Sequence, residues 1–196
     1  YGAQIAFNRI GVGTGASVLG NEGSGIRLEG LGAGASTRPE YTSIVENVIL
    51  ASHGAGISVG GADGVQIWGN DIGASPQGVP ACNGGAGVHL VGDISGDTTD
   101  VLVGPRNELG GEGPAPHEGP NSIWSCDAPG VLIEVGDENE DGLWGTSQAL
   151  RNLVSSNTFV QNDDQVIDLR GWDENGEPDP EPLGAGPDWE GFLGDH

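Results

Sequence analysis

Residues 137–142 read Asp-Glu-Asn-Glu-Asp-Gly, which sets side-chain oxygens at alternate positions, Asp137, Asn139 and Asp141, ahead of a glycine. That is the first half of a calcium-binding loop, in which alternating oxygen ligands wrap a hard cation and glycine permits the sharp turn. The second half departs from the pattern, because the twelfth position is Gln148 instead of a bidentate Glu. A weak calcium loop and a solvated acidic loop both remain open. A second oxygen-rich group, Asp168, Asp173, Asn175 and Asp179, lies toward the C-terminus. Calcium is one reading there. The other is an acidic, proline-broken extension that caps the last structural layer and blocks its open edge.

A third constellation points elsewhere. The apolar stretch Ile5 to Ile10 runs into Gly11-x-Gly13-x-x-Ala16, and Glu29 follows about 20 residues on, in the manner of a dinucleotide-binding fingerprint. That fold requires a helix to open at the third small residue and present its amides to a pyrophosphate. Here Ser17 to Gly25 carries Gly20, Gly23 and Gly25, and each glycine costs a helix about 1 kcal/mol relative to alanine. The segment is also short for a crossover helix. The glycines therefore serve architecture.

Composition narrows the partners. The 196 residues suit one domain or a fragment of a larger one. Six cationic residues, all arginine, face 29 acids, for a net charge of −23. Nucleic acid and anionic membrane surfaces need clustered cations and are excluded as partners on that ground. Divalent cations are favoured, although a high-salt habitat produces the same acidity. No apolar run is long enough to span a membrane. No signal peptide is present, and the absence of Met leads to the expectation that the chain starts after a cleavage or inside a longer protein. With 38 Gly and 12 Pro the composition borders on disorder, so periodicity must decide whether it folds.

The period is marked by asparagine. Asn8, Asn47, Asn70 and Asn157 share one frame (apolar, two residues, Asn, one residue, apolar), as in Ile44-Val-Glu-Asn47-Val-Ile49; Asn107 fits with one extra residue. A second frame, Gly-apolar-x-apolar, recurs at Gly25, Gly56, Gly87 and Gly130. Between Asn47 and Asn70 lie three short alternating strands, Val48/Ile49, Ile57/Val59 and Val65/Ile67. Three strands per period in the low twenties, broken by Gly and Asn turns, describe one coil of a parallel β-helix. Stacking sets like residues about 4.8 Å apart and buries the alternating aliphatics. Asn suits a turn position that tolerates left-handed backbone and bonds to its copy in the next coil. The expectation is an all-β, single-stranded solenoid of about four to five coils, entered in mid-coil. Long loops interrupt it; the β-helix covers residues 1–169, and an acidic Pro/Gly-rich cap covers 170–196.

That frame places other residues. Cys82 lies six residues before Val88 and Cys126 five before Val131, so both fall on the same turn of successive coils, within disulfide range. A bridge there implies an oxidising, extracellular setting; the alternative is two buried thiols. Alternation from Val65 and Ile67 points Trp68 outward, where it packs under an insertion or stacks on a sugar ring.

The segments "NRIGVGTGASVLGNEGSGIRL" and "NDIGASPQGVPACNGGAGVHL" resemble the Asn-x-Ile-Gly…Gly-Asn-x-x-x-Gly-Ile-x-Ile repeats of right-handed parallel β-helix proteins of bacterial and archaeal cell surfaces. Residues 166–192 are similar to the segment that closes such repeats. The resemblance implies the pectate-lyase-like architecture, which carries lyases and polygalacturonases as well as adhesins and structural proteins, so it does not fix activity. Ser52-His53-Gly54 and Asn162-Asp163-Asp164 are similar to polygalacturonase elements but stand in the reverse order. Of the bases a lyase would need, Arg27 is the best placed, on an outward column with Ser58, His89 and Leu132. No catalytic residue is assigned. The expected function is a non-catalytic extracellular or cell-surface module, calcium-stabilised, self-associating through open ends or continuing into a larger chain, with filament or adhesive roles. A polysaccharide lyase or hydrolase and a carbohydrate-binding module are the alternatives.

Overall fold

The computed structural model describes residues 2–14, 17–30, 38–75, 77–92, 97–105, 119–124, 128–135, 149–160, 162 and 166–170. Within these residues the regular structure is β-strand, in short pieces separated by turns.

Strands β1 (Gln4–Ala6), β4 (Ser43–Val45), β7 (Gln66–Trp68), β11 (Leu102–Val103) and β15 (Leu153–Val154) form sheet I, in that order. Sheet II contains β2 (Arg9–Ile10), β5 (Val48–Ile49), β8 (Asp71–Ile72), β12 (Ser122–Trp124) and β16 (Thr158–Val160). Sheet III contains β3 (Ile26–Glu29), β6 (Ile57–Gly60), β9 (Val88–Gly92), β13 (Val131–Val135) and β17 (Ile167–Arg170). A small parallel pair, β10 (Thr98–Thr99) with β14 (Ala149–Leu150), precedes the fourth and fifth strands of sheet I. Every strand pair is parallel, and the chain visits sheets I, II and III in rotation. This all-β arrangement is compatible with a parallel β-helix. The loop beginning at Gly11 belongs to it, and among the described residues no α-helix follows that fingerprint-like motif.

Register follows the sequence frames. Ile26, Ile57, Val88, Val131 and Ile167 stand side by side in sheet III, so the four Gly-apolar-x-apolar segments lie in one column. Ile5, Ile44, Ile67, Val103 and Val154 form the matching column of sheet I. The middle members Ile44, Ile57, Ile67, Ile72, Leu90 and Ile123 are fully buried. β-Branched side chains fit this setting because their restricted χ1 packs well on a pleated surface. Full burial contributes roughly 1.5–3 kcal/mol for each such side chain. Toward either end, Ile5, Ile10, Val154 and Phe159 pack against the core but stay partly exposed.

One expectation needs correcting. The ladder asparagines do not take the left-handed conformation; the residue before Asn8, Asn47, Asn70 and Asn157 does, at Phe7, Glu46, Gly69 and Ser156, with φ of 59°, 51°, 67° and 52°. A non-glycine residue pays about 1–2 kcal/mol there. The kink swings the following Asn side chain into the turn, where its hydrogen bonds offset that cost.

Candidate functional site

The most ordered polar feature is the asparagine ladder between sheets I and II. Asn8, Asn47, Asn70, Asn121 and Asn157 are joined across sequence separations of 39, 23, 51 and 36 residues. Asn47 and Asn70 are 1 % exposed and Asn121 is fully buried. The Oδ1 of Asn70 accepts from both the backbone N–H and Nδ2 of Asn47, each at 3.0 Å. The Nδ2 of Asn70 donates to Ile44 O, Trp68 O and Asn121 Oδ1. Burying an amide is tolerable only when its donors and acceptors are matched, and this column matches them from rung to rung.

The sequence frame selected Asn107 as the fourth member, but the structure puts Asn121 in that position. Asn107 lies outside the described residues. The reason is an insertion between Val103 of β11 and Asn121, inside the turn itself, which splits the frame. The surviving signal was the half-frame Asn121-Ser-Ile123, whose Ile123 pairs with Ile72.

The outward face of sheet III carries the remaining chemistry. Arg27, Ser58, His89, Leu132 and Asp168 occupy one column, as alternation requires. Arg27 is exposed and pairs with Glu29 on its own strand at 2.7 Å. His89 Nε2 lies 2.8 Å from Glu134 Oε2, with both side chains about a quarter exposed. Glu134 is legible in principle, since it sits two residues past Leu132 on the same face of the next strand. Asp168 is only 7 % exposed, an unusual burial for a carboxylate on an outward column. The described part of this face therefore brings together one imidazole–carboxylate pair and one buried acid. On sheet II the outward column runs Arg9, Val48, Asp71, Ser122 and Thr158. Burial pushes the Asp71 carboxyl above its ordinary value.

The other residues singled out by type are scattered. Trp68 points outward from β7, opposite the fully buried Ile67, and is half-buried. His53 is exposed, whereas Ser52 beside it is buried and donates its backbone N–H to Asn83 Oδ1. Cys82 is half-buried and is not a free thiol; the strands that follow the two cysteines pair with Val88 opposite Val131. Cys126, Asp137, Asn139, Asp141, Asp173, Asn175, Asp179, Asp163 and Asp164 lie outside the described residues, as does the 170–196 cap beyond Arg170. Among the described residues no group of three or more His, Cys, Asp or Glu is disposed to hold a metal ion, and no helix is long and apolar enough to cross a membrane. No protein-family model matches the chain, no curated protein matches it, and no solved structure matches its fold.

Proposed function

We propose that this chain is a non-catalytic structural module of an extracellular or cell-surface protein, built as a right-handed parallel β-helix whose layers continue by stacking. Right-handedness follows from the strong chiral preference of parallel crossover connections. The observation that carries the reading is the state of the first layer. Strands β1, β2 and β3 are the edges of their sheets, and beneath them Ile5, Ile10 and Leu28 pack on the core while remaining partly exposed. An edge with a half-covered apolar interior is a template for further strands. Those strands come from more of the same chain or from a second copy stacking head to tail.

Charge sets the condition. Two chains of net charge −23 repel each other, and counter-ions must reduce that repulsion before their ends meet. We assign calcium to this role, held by the acid-rich segments containing Asp137, Asn139 and Asp141, and Asp168, Asp173, Asn175 and Asp179. A Cys82–Cys126 bridge would clip adjacent layers and suits an oxidising compartment. Negative-stain electron microscopy of the purified chain tests the reading. Filaments or sheets in calcium that disperse on chelation are expected, whereas discrete particles in both conditions would overturn it.

The second reading is a polysaccharide lyase or hydrolase, or a sugar-binding module, on the same scaffold. What favours it is the outward row of sheet III, where the His89–Glu134 pair lies two strands from Arg27 and one from Asp168. Carboxylates along a strand face are what sugar chemistry uses. Half-buried Trp68 is the stacking candidate in that case.

A further inference from the structure

Two loops on the sheet II side are copies of one another. In the first, Gly13 N donates to Ser17 O and Leu19 N to Gly11 O, around an antiparallel Val12–Val18 bridge. In the second, Ser75 N donates to Val79 O and Ala81 N to Gly73 O, around an Ala74–Pro80 bridge. Each leaves its strand at a glycine with positive φ, Gly11 at 76° and Gly73 at 80°. The layer between them has no such loop. There the equivalent position is Leu50, whose side chain is 4 % exposed. Two hairpins spaced two strands apart, with the middle one missing, leave a gap about one chain thick, since strands lie about 4.8 Å apart.

The gap is a cavity of about 340 Å³, within the size range of small-molecule sites. Val48 and Leu50 belong to its floor layer, and Val12, Val18 and Val79 come from the two hairpins. Val18 and Val79 are 49 % and 60 % exposed. Apolar side chains that far into solvent, arranged around a slot, mark a binding surface more often than chance exposure. Ser17, Ser75 and Gln77 also line it, but aliphatic side chains predominate, which disfavours a sugar ring as occupant.

One charged group decides the charge of the occupant. Arg9 lines the slot. Arg27 pairs with Glu29, Arg151 with Asp100, and Arg38 donates to Asp97 O and Thr99 Oγ1. Arg9 has no ion-pair partner among the described residues. A guanidinium with no carboxylate partner among the described residues, at the mouth of a mainly aliphatic slot, matches an anionic headgroup on an apolar body. We propose that the slot between the two hairpins binds a small aliphatic monocarboxylate, with the carboxylate on Arg9 and the alkyl chain over Val48 and Leu50.

Isothermal titration of the purified chain with octanoate and with octan-1-ol tests this directly. The expected result is saturable 1:1 binding of octanoate, about tenfold tighter than the alcohol, because the two differ only in the group that meets Arg9. Arg9→Gln should bring octanoate down to the alcohol's affinity, and Val79→Asp should weaken both ligands. Arg9 and Val79 are exposed, so neither change threatens the fold. Equal affinity for acid and alcohol in the unaltered chain, no saturable octanoate binding, or an unchanged affinity in Arg9→Gln would each overturn the proposal.

Discussion

Asn70→Ala should lower the free energy of unfolding by about 3–5 kcal/mol, read as a shift of the urea midpoint followed by circular dichroism. The size comes from what is left behind. Removing the carboxamide strips the acceptor from Asn47 N and Nδ2, and the donor from Ile44 O and Trp68 O, all in a buried turn. A buried polar group that loses its partner costs roughly 1–3 kcal/mol, and the loosened rungs recover only part of it. Asn8 makes the same kinds of bond at the exposed end of the ladder. Asn8→Ala should therefore cost under about 1 kcal/mol, because water replaces the lost partners. Equal losses at the two positions would mean that the ladder is not the buried spine described above.

The second large effect separates space from backbone strain. Gly73 and Gly78 have nearly the same φ, 80° and 73°. A Cβ on Gly73 would fall 1.9 Å from the carbonyl oxygen of Trp124 in the next layer, whereas a Cβ on Gly78 meets nothing within 4 Å. Gly78→Ala should cost about 1 kcal/mol, the ordinary price of a left-handed alanine. Gly73→Ala carries that strain and must also push its layer away from Trp124, while Gly73 N is held by Ile49 O of the layer on the other side. A loss of at least about 3 kcal/mol is expected, with weaker protection of the amides of β8 and β12 in hydrogen exchange. Similar small losses for both variants would show that the layers do not approach so closely at Gly73.

The contrast between these sites explains how much of the fold was legible in the sequence. The Gly-apolar-x-apolar frames lie in a single column because their strands carry no internal insertion, so their spacing survived intact. The asparagine frame spans a turn, and turns are where insertions enter. It therefore held at Asn47 and Asn70 and failed at Asn121, where the chain between Val103 and the Asn is long. The left-handed residue escaped notice because Phe7, Glu46 and Ser156 share no side-chain property that announces it. What they share is a position, one before the Asn.

The candidate sites were less legible for a different reason. The outward column of Arg27, Ser58, His89 and Leu132 follows from alternation alone. The partner of His89 requires knowing that Glu134 lies on the neighbouring strand, two residues past the position opposite His89, which depends on register. The burial of Asp168 depends on what covers it, which no spacing records. The slot beside Arg9 rests on an absence. The likeness of the Gly11 and Gly73 loops was readable as repeated text, whereas a missing third copy becomes a gap only once the layers are stacked.

The central claim is that this chain presents an unfinished β-helix edge that another layer completes. Amide hydrogen exchange at low and high protein concentration in calcium, followed by addition of a chelator, tests it most directly. The expected result is a concentration-dependent gain of protection confined to the edge strands, residues 4–6, 9–10 and 26–29 at one end and 153–154, 158–160 and 167–170 at the other, and lost on chelation. Exchange in those strands that stays fast at every concentration, while the interior strands remain protected, would contradict it.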